Sequence, residues 1–436
     1  VIGPESPALL TDKYELTMLA AALRDGTAAR RTTFELFARR LPDGRRYGVV
    51  AGTGRLLEAL GDFIFDDEAL ATVADFLDAA TLDYLRDFRF RGDIDGYAEG
   101  ELYFPGSPVL SVSGTFGECV LLETLALSMF NHDTAVASAA ARMVSAAAGR
   151  PLIDMGSRRT HEEAAVAAAR AAYIAGFAAT SNLAAKRRYG IPALGTSAHA
   201  FTMLHTGDGA GTDDWEQSAF RAQVAALGVS TTLLVDTYDV QRGVLNAITA
   251  AGTDLGAVRV DSGDLGVLTR QVRDQLDALG ANRTRIVVSG DLDEYSIAAL
   301  RAEPVDTYGV GTSVVTGSGA PTASMVYKLV EVDGRPVQKR SLRKESHGGR
   351  KAAMRLSKPS GTVIEELIHP VWRQPDVTES ARVLTMPLVR AGEVLAEPDL
   401  EAARALVAEG LRSLPWEGLS LTKGEPVIPT RQVPLR

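Results

Sequence analysis

Ala257-Val258-Arg259-Val260-Asp261-Ser262-Gly263-Asp264 is a short apolar run, broken by one arginine, that ends in two acids and small turn residues. A buried strand running into a polar loop has this pattern. The same pattern recurs on both sides. Upstream, Thr231 to Val235 ends in Asp236-Thr237-Tyr238-Asp239. Downstream, Arg285 to Val288 ends in Ser289-Gly290-Asp291, and Asp306 to Gly309 ends in Val310-Gly311-Thr312-Ser313. Positions 236, 261, 289 and 311 stand 25, 28 and 22 residues apart, which is the length of a strand plus a helix. The intervening segments Val240–Ala250, Leu265–Leu279 and Glu294–Ala302 carry helical periodicity. Strands that are apolar throughout are parallel and covered on both faces. With polar residues gathered at their C-terminal ends, they predict an α/β fold, a (β/α) barrel with its site at that face. A doubly wound open sheet is the alternative, because periodicity does not report closure.

Further upstream, strand Leu152–Met155, helix Glu162–Ala172, helix Ser181–Tyr189 and strand Pro192–Gly195 continue the alternation. Strand Pro192–Gly195 leads into Thr196-Ser197-Ala198-His199. A long small-residue helix is expected from Glu118 to Ala148. Three regions follow: an N-terminal α+β domain at 1–115, the barrel at 116–331, and a β-rich and helical extension at 332–436. The last is expected to fold back on the first as one discontinuous domain.

At 436 residues, 46% hydrophobic and 23% charged, the chain reads as a soluble globular protein with a large core. A net charge of −9 argues against nucleic-acid binding. One cysteine, Cys119, rules out a disulfide framework within the chain. The segment Val1-Ile2-Gly3-Pro4-Glu5-Ser6 has no signal-peptide character, and no uncharged apolar run reaches the ~18 residues of a membrane span. The expected location is the cytoplasm.

Gly-rich turns before helices seat phosphate on backbone N–H groups, which singles out Ser289-Gly290 and Gly311-Thr312. Arg259 sits inside a strand. It is there either to meet a carboxylate ligand with its planar fork or to make an internal ion pair. Asp236, Asp239, Asp261 and Asp264 can face a hydrated Mg²⁺ or a positive sugar carbon, or can cap helices; capping is favoured at Asp239 and Asp264. Of six histidines, His199 alone stands in a strand-end loop among Gly, Thr and Ser. Zinc-site spacing, serine elbows and Walker loops are absent. A Schiff-base aldolase is disfavoured, since the only lysine between 115 and 310 is Lys186, on a predicted helix.

With these residues in hand, the chain resembles the nicotinate phosphoribosyltransferase family. The resemblance rests on Leu10 to Met18, Phe34-Glu35-Leu36-Phe37, Met155-Gly156-Ser157-Arg158-Arg159 and Thr180-Ser181-Asn182. It continues through Gly195 to His199, Arg259 to Leu265 and Gly309 to Thr316. It implies an open or irregular barrel of the type II phosphoribosyltransferase kind with a discontinuous second domain, and a homodimer with shared sites. It implies that nicotinate, 5-phosphoribosyl 1-pyrophosphate, ATP and water give nicotinate mononucleotide, pyrophosphate, ADP and phosphate, in NAD salvage. His199 would be catalytic and become phosphohistidine, with Asp236 as the second catalytic residue. Tyr14, from the partner subunit, and Phe177 would sandwich the pyridine ring. Arg259 would bind its carboxylate and Thr196 would touch the ligand. Ser289, Gly290, Gly311 and Thr312 would hold the 5-phosphate, and Arg158 would reach substrate phosphates. Asp236 and Asp261 would approach the ribose and a substrate-borne Mg²⁺. A nicotinamide phosphoribosyltransferase is the near alternative, and a barrel phosphosugar aldolase or isomerase the remote one.

Overall fold

The computed structural model describes residues 6–207, 211–339, 347–376, 380–395 and 397–434. The first five residues and the last two of the proline-rich tail lie outside these. The chain divides into two units, one of residues 139–319 and one that joins 1–138 to 320–436. The first division falls inside helix Glu123–Ala147, and the second precedes strand Met325–Val332. The unit limits therefore differ from the breaks read at 115 and 331.

The unit of residues 139–319 is built on a six-stranded parallel sheet. Across the sheet the strands are Ala179–Thr180, Leu152–Asp154, Thr307–Val310, Arg285–Val288, Ala257–Val260 and Thr232–Leu234. Every neighbouring pair is parallel. The expected strand Pro192–Gly195 contributes only a single bridge, Ala193 to Thr180. Pro192 has no N–H to donate and Gly195 weakens a strand, so pairing stops there. Among the described residues no bond joins Ala193 to Thr232–Leu234, so the sheet is open. Helices Val240–Ala251 and Leu265–Ala278 follow their strands as the spacing predicts.

The other unit interleaves the two ends of the chain. Its seven-stranded antiparallel sheet runs Arg335–Pro336, Met325–Val332, Arg31–Ala38, Leu110–Thr115, Asp93–Gly96, Met386–Arg390 and Glu393–Val394. A four-stranded sheet holds Ala381–Val383, Lys351–Ser357, Val363–Pro370 and Thr430–Gln432. Leu16, Leu19, Phe34, Leu36, Val112, Tyr327, Ile368 and Val389 share one core, so the apolar faces of both ends are buried together.

The helix expected from Glu118 to Ala148 is two helices, Phe116–Val120 and Glu123–Ala147. Thr115 and Glu118 form a capping box on the first. Glu15 opens the second, because its Oε1 accepts from the Thr124 amide at 2.9 Å and its Oε2 accepts from the Thr11 hydroxyl. Glu15 has no exposed surface, and burial, with Glu123 adding, pushes its pKa up to about 7. The unfolded value is near 4.3, so the folded state binds this proton more tightly. The associated stability is complete below about pH 4.3 and is lost as pH rises towards 7. Glu15→Gln keeps an acceptor for Thr124 and should flatten the decline in urea midpoint across that window relative to wild type. An unchanged slope would show that Glu15 does not carry this titration.

Candidate active site

The C-terminal ends of the parallel strands bring Arg259, Asp236, Asp261 and Ser289 to one edge. The Ala257–Val260 strand pairs with Thr232–Leu234 on one side and Arg285–Val288 on the other, with Val260 opposite Val288. The turns after the three strands therefore meet. Asp236 Oδ2 accepts from the Asp261 amide at 2.9 Å and from the Ser262 hydroxyl at 2.7 Å. Asp261 Oδ1 accepts from the Ser289 hydroxyl. Asp236 Oδ1 is buried without a hydrogen-bond partner.

Arg259 donates through Nη2 to the Ser197 carbonyl at 3.2 Å, while its Nε is buried without a partner. Burial drives its pKa below the usual value; Asp261 and Asp236 oppose that, and nearby Arg158 adds to it. Among the described residues Arg259 makes no ion pair, so the internal-pair alternative is not what the fold builds. A half-buried guanidinium with spare donors, and a second one close by, is a receptor for an anion.

His199 opens the short helix His199–Leu204, and its Nδ1 lies 3.1 Å from Thr237 Oγ1. Thr237 sits beside Asp236, so strand-end loops before two different helices meet here. Thr196 is exposed in the loop before His199. Asp239 and Asp264 cap their helices, accepting from the Arg242 amide at 2.8 Å and the Val267 amide at 3.2 Å.

Gly290 has φ of 105°, and a Cβ there would stand 2.2 Å from the Asp261 carbonyl oxygen. Only glycine lets the two turns approach so closely. Gly311 precedes the helical turn Thr312–Val315, with Thr312 exposed. Gly156 lies against this turn, since a Cβ on it would fall 2.1 Å from Val315 Cγ1 and 3.1 Å from the Gly311 carbonyl oxygen. Arg158 is exposed in the turn Gly156–Arg158.

Two residues of the expected ring sandwich fare differently. Tyr14 lies on helix Lys13–Asp25 of the other unit, 44% exposed. Phe177 is fully buried, which corrects the expectation that its ring walls the ligand. It precedes strand Ala179–Thr180, whereas the site residues follow theirs, so it sits at the wrong end of the sheet. Its amide donates to Ala172 and that of Ala178 to Leu152, the first residue of its strand. Met155, which follows its strand, stands at the site end instead. It is half-buried, its sulfur and Cε would lie 2.6 and 2.8 Å from a Cβ at Gly309, and Ser289 Cβ would lie 3.2 Å from the same point. Sequence reasoning quoted Met155 in a motif but assigned it no role.

Paired guanidiniums, acids on adjoining strands and glycine turns, all at the carboxyl ends of parallel strands, make this an α/β enzyme whose site is arranged to receive an anion. The comparisons narrow the class. The nicotinate phosphoribosyltransferase N-terminal domain model matches residues 9–131, and the nicotinate phosphoribosyltransferase family model matches residues 151–365. The nicotinate phosphoribosyltransferase pncB1 of Mycobacterium tuberculosis is 75% identical over 99% of this chain and 96% of its own length. The nicotinate phosphoribosyltransferase of Bacillus subtilis is 37% identical over 76% of this chain and 69% of its own. The crystal structure of human nicotinic acid phosphoribosyltransferase superposes with a TM-score of 0.84 at 26% identity, covering 96% of this chain and 97% of that one. The chain belongs to the nicotinate phosphoribosyltransferase family.

Proposed function

We propose that this chain joins nicotinate to 5-phosphoribosyl 1-pyrophosphate, releasing pyrophosphate, as a nicotinate phosphoribosyltransferase of NAD salvage. The observation that carries the reading is Arg259, a guanidinium at the sheet end with spare donors and no carboxylate partner. A pyridine carboxylate completes it, whereas a neutral amide does not, which favours nicotinate over nicotinamide. The aldolase alternative falls away because Lys186 lies on helix Leu183–Tyr189.

In this reading the ring nitrogen attacks the anomeric carbon as pyrophosphate departs, and positive charge builds on the sugar. Asp236 and Asp261 face that charge, and Arg158 draws the phosphates into line. Ser289, Gly290, Gly311 and Thr312 hold the 5-phosphate, and Thr196 touches the ligand. Met155 supplies an apolar contact for the ring in place of Phe177, opposite Tyr14 of the partner subunit in a homodimer. The exposed Leu9, Leu10 and Met18 around Tyr14 support such a partner. The orphaned Asp236 Oδ1 beside Asp261 fits Mg²⁺ that keeps waters and shares the substrate's phosphates. Mg²⁺ would supply charge neutralisation for the leaving pyrophosphate.

ATP hydrolysis is coupled through His199. With Nδ1 near Thr237, the imidazole is oriented so that its other nitrogen can take a phosphoryl group, placing negative charge beside the arginines. The setting is the cytoplasm; no helix among the described residues is long and apolar enough to cross a membrane. Incubating the pure protein with nicotinate, phosphoribosyl pyrophosphate, Mg²⁺ and ATP should yield nicotinate mononucleotide. His199→Ala should abolish ADP release and ATP stimulation while slow transfer persists. Unaltered ATP coupling in that variant would remove His199 from the mechanism.

A further inference from the structure

Asp154 ends strand Leu152–Asp154 and is 1% exposed. Its Oδ1 accepts from the Gly156 amide at 2.9 Å, and its Oδ2 accepts from the Thr180 hydroxyl at 2.7 Å. Its carbonyl accepts from the Ser181 amide at 2.7 Å. Thr180 Oγ1 accepts in turn from the Asn182 amide at 3.0 Å, and Asn182 Nδ2 donates to Ser157 Oγ at 3.1 Å. The bonds form a closed circuit that ties the turn Gly156–Arg158 to the step 180–182. A third loop belongs to the same assembly, because Val310 pairs with Asp154 and the next residue, Gly311, presses its carbonyl on Gly156.

Glu15 is buried against hydroxyls and an amide, but several other buried carboxylates face a basic side chain. Glu35 meets Lys351, Asp133 meets Arg55, Glu294 meets Arg142, and Glu366 meets Arg355. Asp154 has no such partner among the described residues, and burial raises its pKa against the pull of Thr180 and Gly156. A carboxyl group with no cation is expensive to bury. A carboxyl used only to end a strand would be replaceable by any small polar residue. This one instead fastens two strand-end loops, one of which carries Arg158, and the Gly311 loop abuts them.

We propose that Asp154 is a positioning residue for phosphoribosyl pyrophosphate. Without touching substrate, it holds the Gly156–Arg158 turn and the abutting Gly311 loop where Arg158 and the Gly311-Thr312 backbone meet the phosphates. The proposal rests on the functional reading above.

Its test measures KM separately for the two substrates, together with calorimetric titration of phosphoribosyl pyrophosphate alone. Asp154→Ala frees the turn, and the KM and Kd for phosphoribosyl pyrophosphate should rise roughly tenfold or more. The KM for nicotinate should stay within about twofold, because uniform binding is lost only at the phosphates. Asp154→Asn preserves an acceptor for Gly156 and can donate to Thr180, so it should recover most of the loss. Thr180→Val removes one bond of the circuit and should give a smaller rise of the same kind. If Asp154→Ala does not fold, the Thr180→Val and Asp154→Asn pair decides. Equal losses for both substrates, a fall in kcat with both KM values unchanged, or an Asn variant as impaired as the Ala variant would each overturn the proposal. Wild type that binds phosphoribosyl pyrophosphate without forming mononucleotide would sink the functional reading and leave the binding arm to judge Asp154. Wild type that does neither would overturn both.

Discussion

Arg259→Gln is expected to lose about 2–4 kcal/mol of transition-state binding, roughly 30- to 1,000-fold in kcat/KM for nicotinate. The loss should fall chiefly on the KM for nicotinate, because the guanidinium holds the carboxylate in the ground and transition states alike. In the free protein Arg259 spends one donor on the Ser197 carbonyl and leaves Nε without a partner. The remaining donors suit a bidentate carboxylate, which is why truncation costs far more than an ordinary hydrogen bond. Nicotinamide has no charge to meet, so its weak reaction should change by no more than a few-fold. The ratio of the two bases should therefore collapse. Arg259→Lys keeps the charge and loses the fork, and should fall between the two. The KM for phosphoribosyl pyrophosphate is the control, since Arg158 and the Gly290 and Gly311 turns bear on that substrate. A glutamine variant that still prefers nicotinate over nicotinamide by the wild-type margin would place carboxylate recognition elsewhere.

Arg259 could be singled out from sequence because arginine inside an apolar strand is conspicuous, and the acids and glycines after each strand recur at one period. That period was legible for a physical reason. Parallel strands covered on both faces are continuous apolar runs, and only their ends admit polar residues. Asp239 and Asp264 were readable as caps from their place just ahead of helical runs. What failed was local. Strand Ala179–Thr180 has two residues and follows an alanine-rich helix, so no periodicity marks it. Missing that strand leaves Phe177 without a direction, so the resemblance alone sets it against the pyridine ring. The circuit through Asp154 was hidden as well, because Thr180 and Asp154 stand 26 residues apart and a strand-end aspartate reads as an ordinary turn residue. At the C-terminal end, the short strands Ala381–Val383, Met386–Arg390 and Thr430–Gln432 carry little apolar alternation. Their identity as strands comes from distant partners, such as Asp93–Gly96 for Met386–Arg390, and not from their own residues.

Arg355→Ala should destabilise the discontinuous unit by about 3–5 kcal/mol, since it leaves buried Glu366 without a cation and buried Glu101 with Arg382 alone. Arg355 is 2% exposed, on strand Lys351–Ser357, and nothing in the local sequence marks it as a hub. Its Nη1 donates to Glu101 at 2.5 Å, and its Nη2 donates to Glu366 at 2.6 Å and to the Leu102 carbonyl at 2.7 Å. Tyr97 donates to Glu366 at 2.6 Å, and Arg382 donates to Glu101 at 2.7 Å. Burial alone would lift the Glu101 pKa, but Arg355 and Arg382 outweigh it and hold it below the usual value. Glu101 and Arg355 are 254 residues apart, so this one guanidinium bonds the N-terminal part of the unit to the C-terminal part. Lysine in its place can reach one carboxylate but not both, and should recover only part of the loss. Neutralising the whole cluster, with Arg355→Met, Glu101→Gln and Glu366→Gln together, should be milder than Arg355→Ala, because no uncompensated charge is left inside. Urea unfolding followed by a probe in the discontinuous unit reads the difference; the whole chain has two units and need not unfold in one step. If the triple variant were less stable than Arg355→Ala, the attraction within the cluster would exceed its desolvation cost. The cluster would then be a net source of stability for this unit, and not only a device that specifies which segments pair.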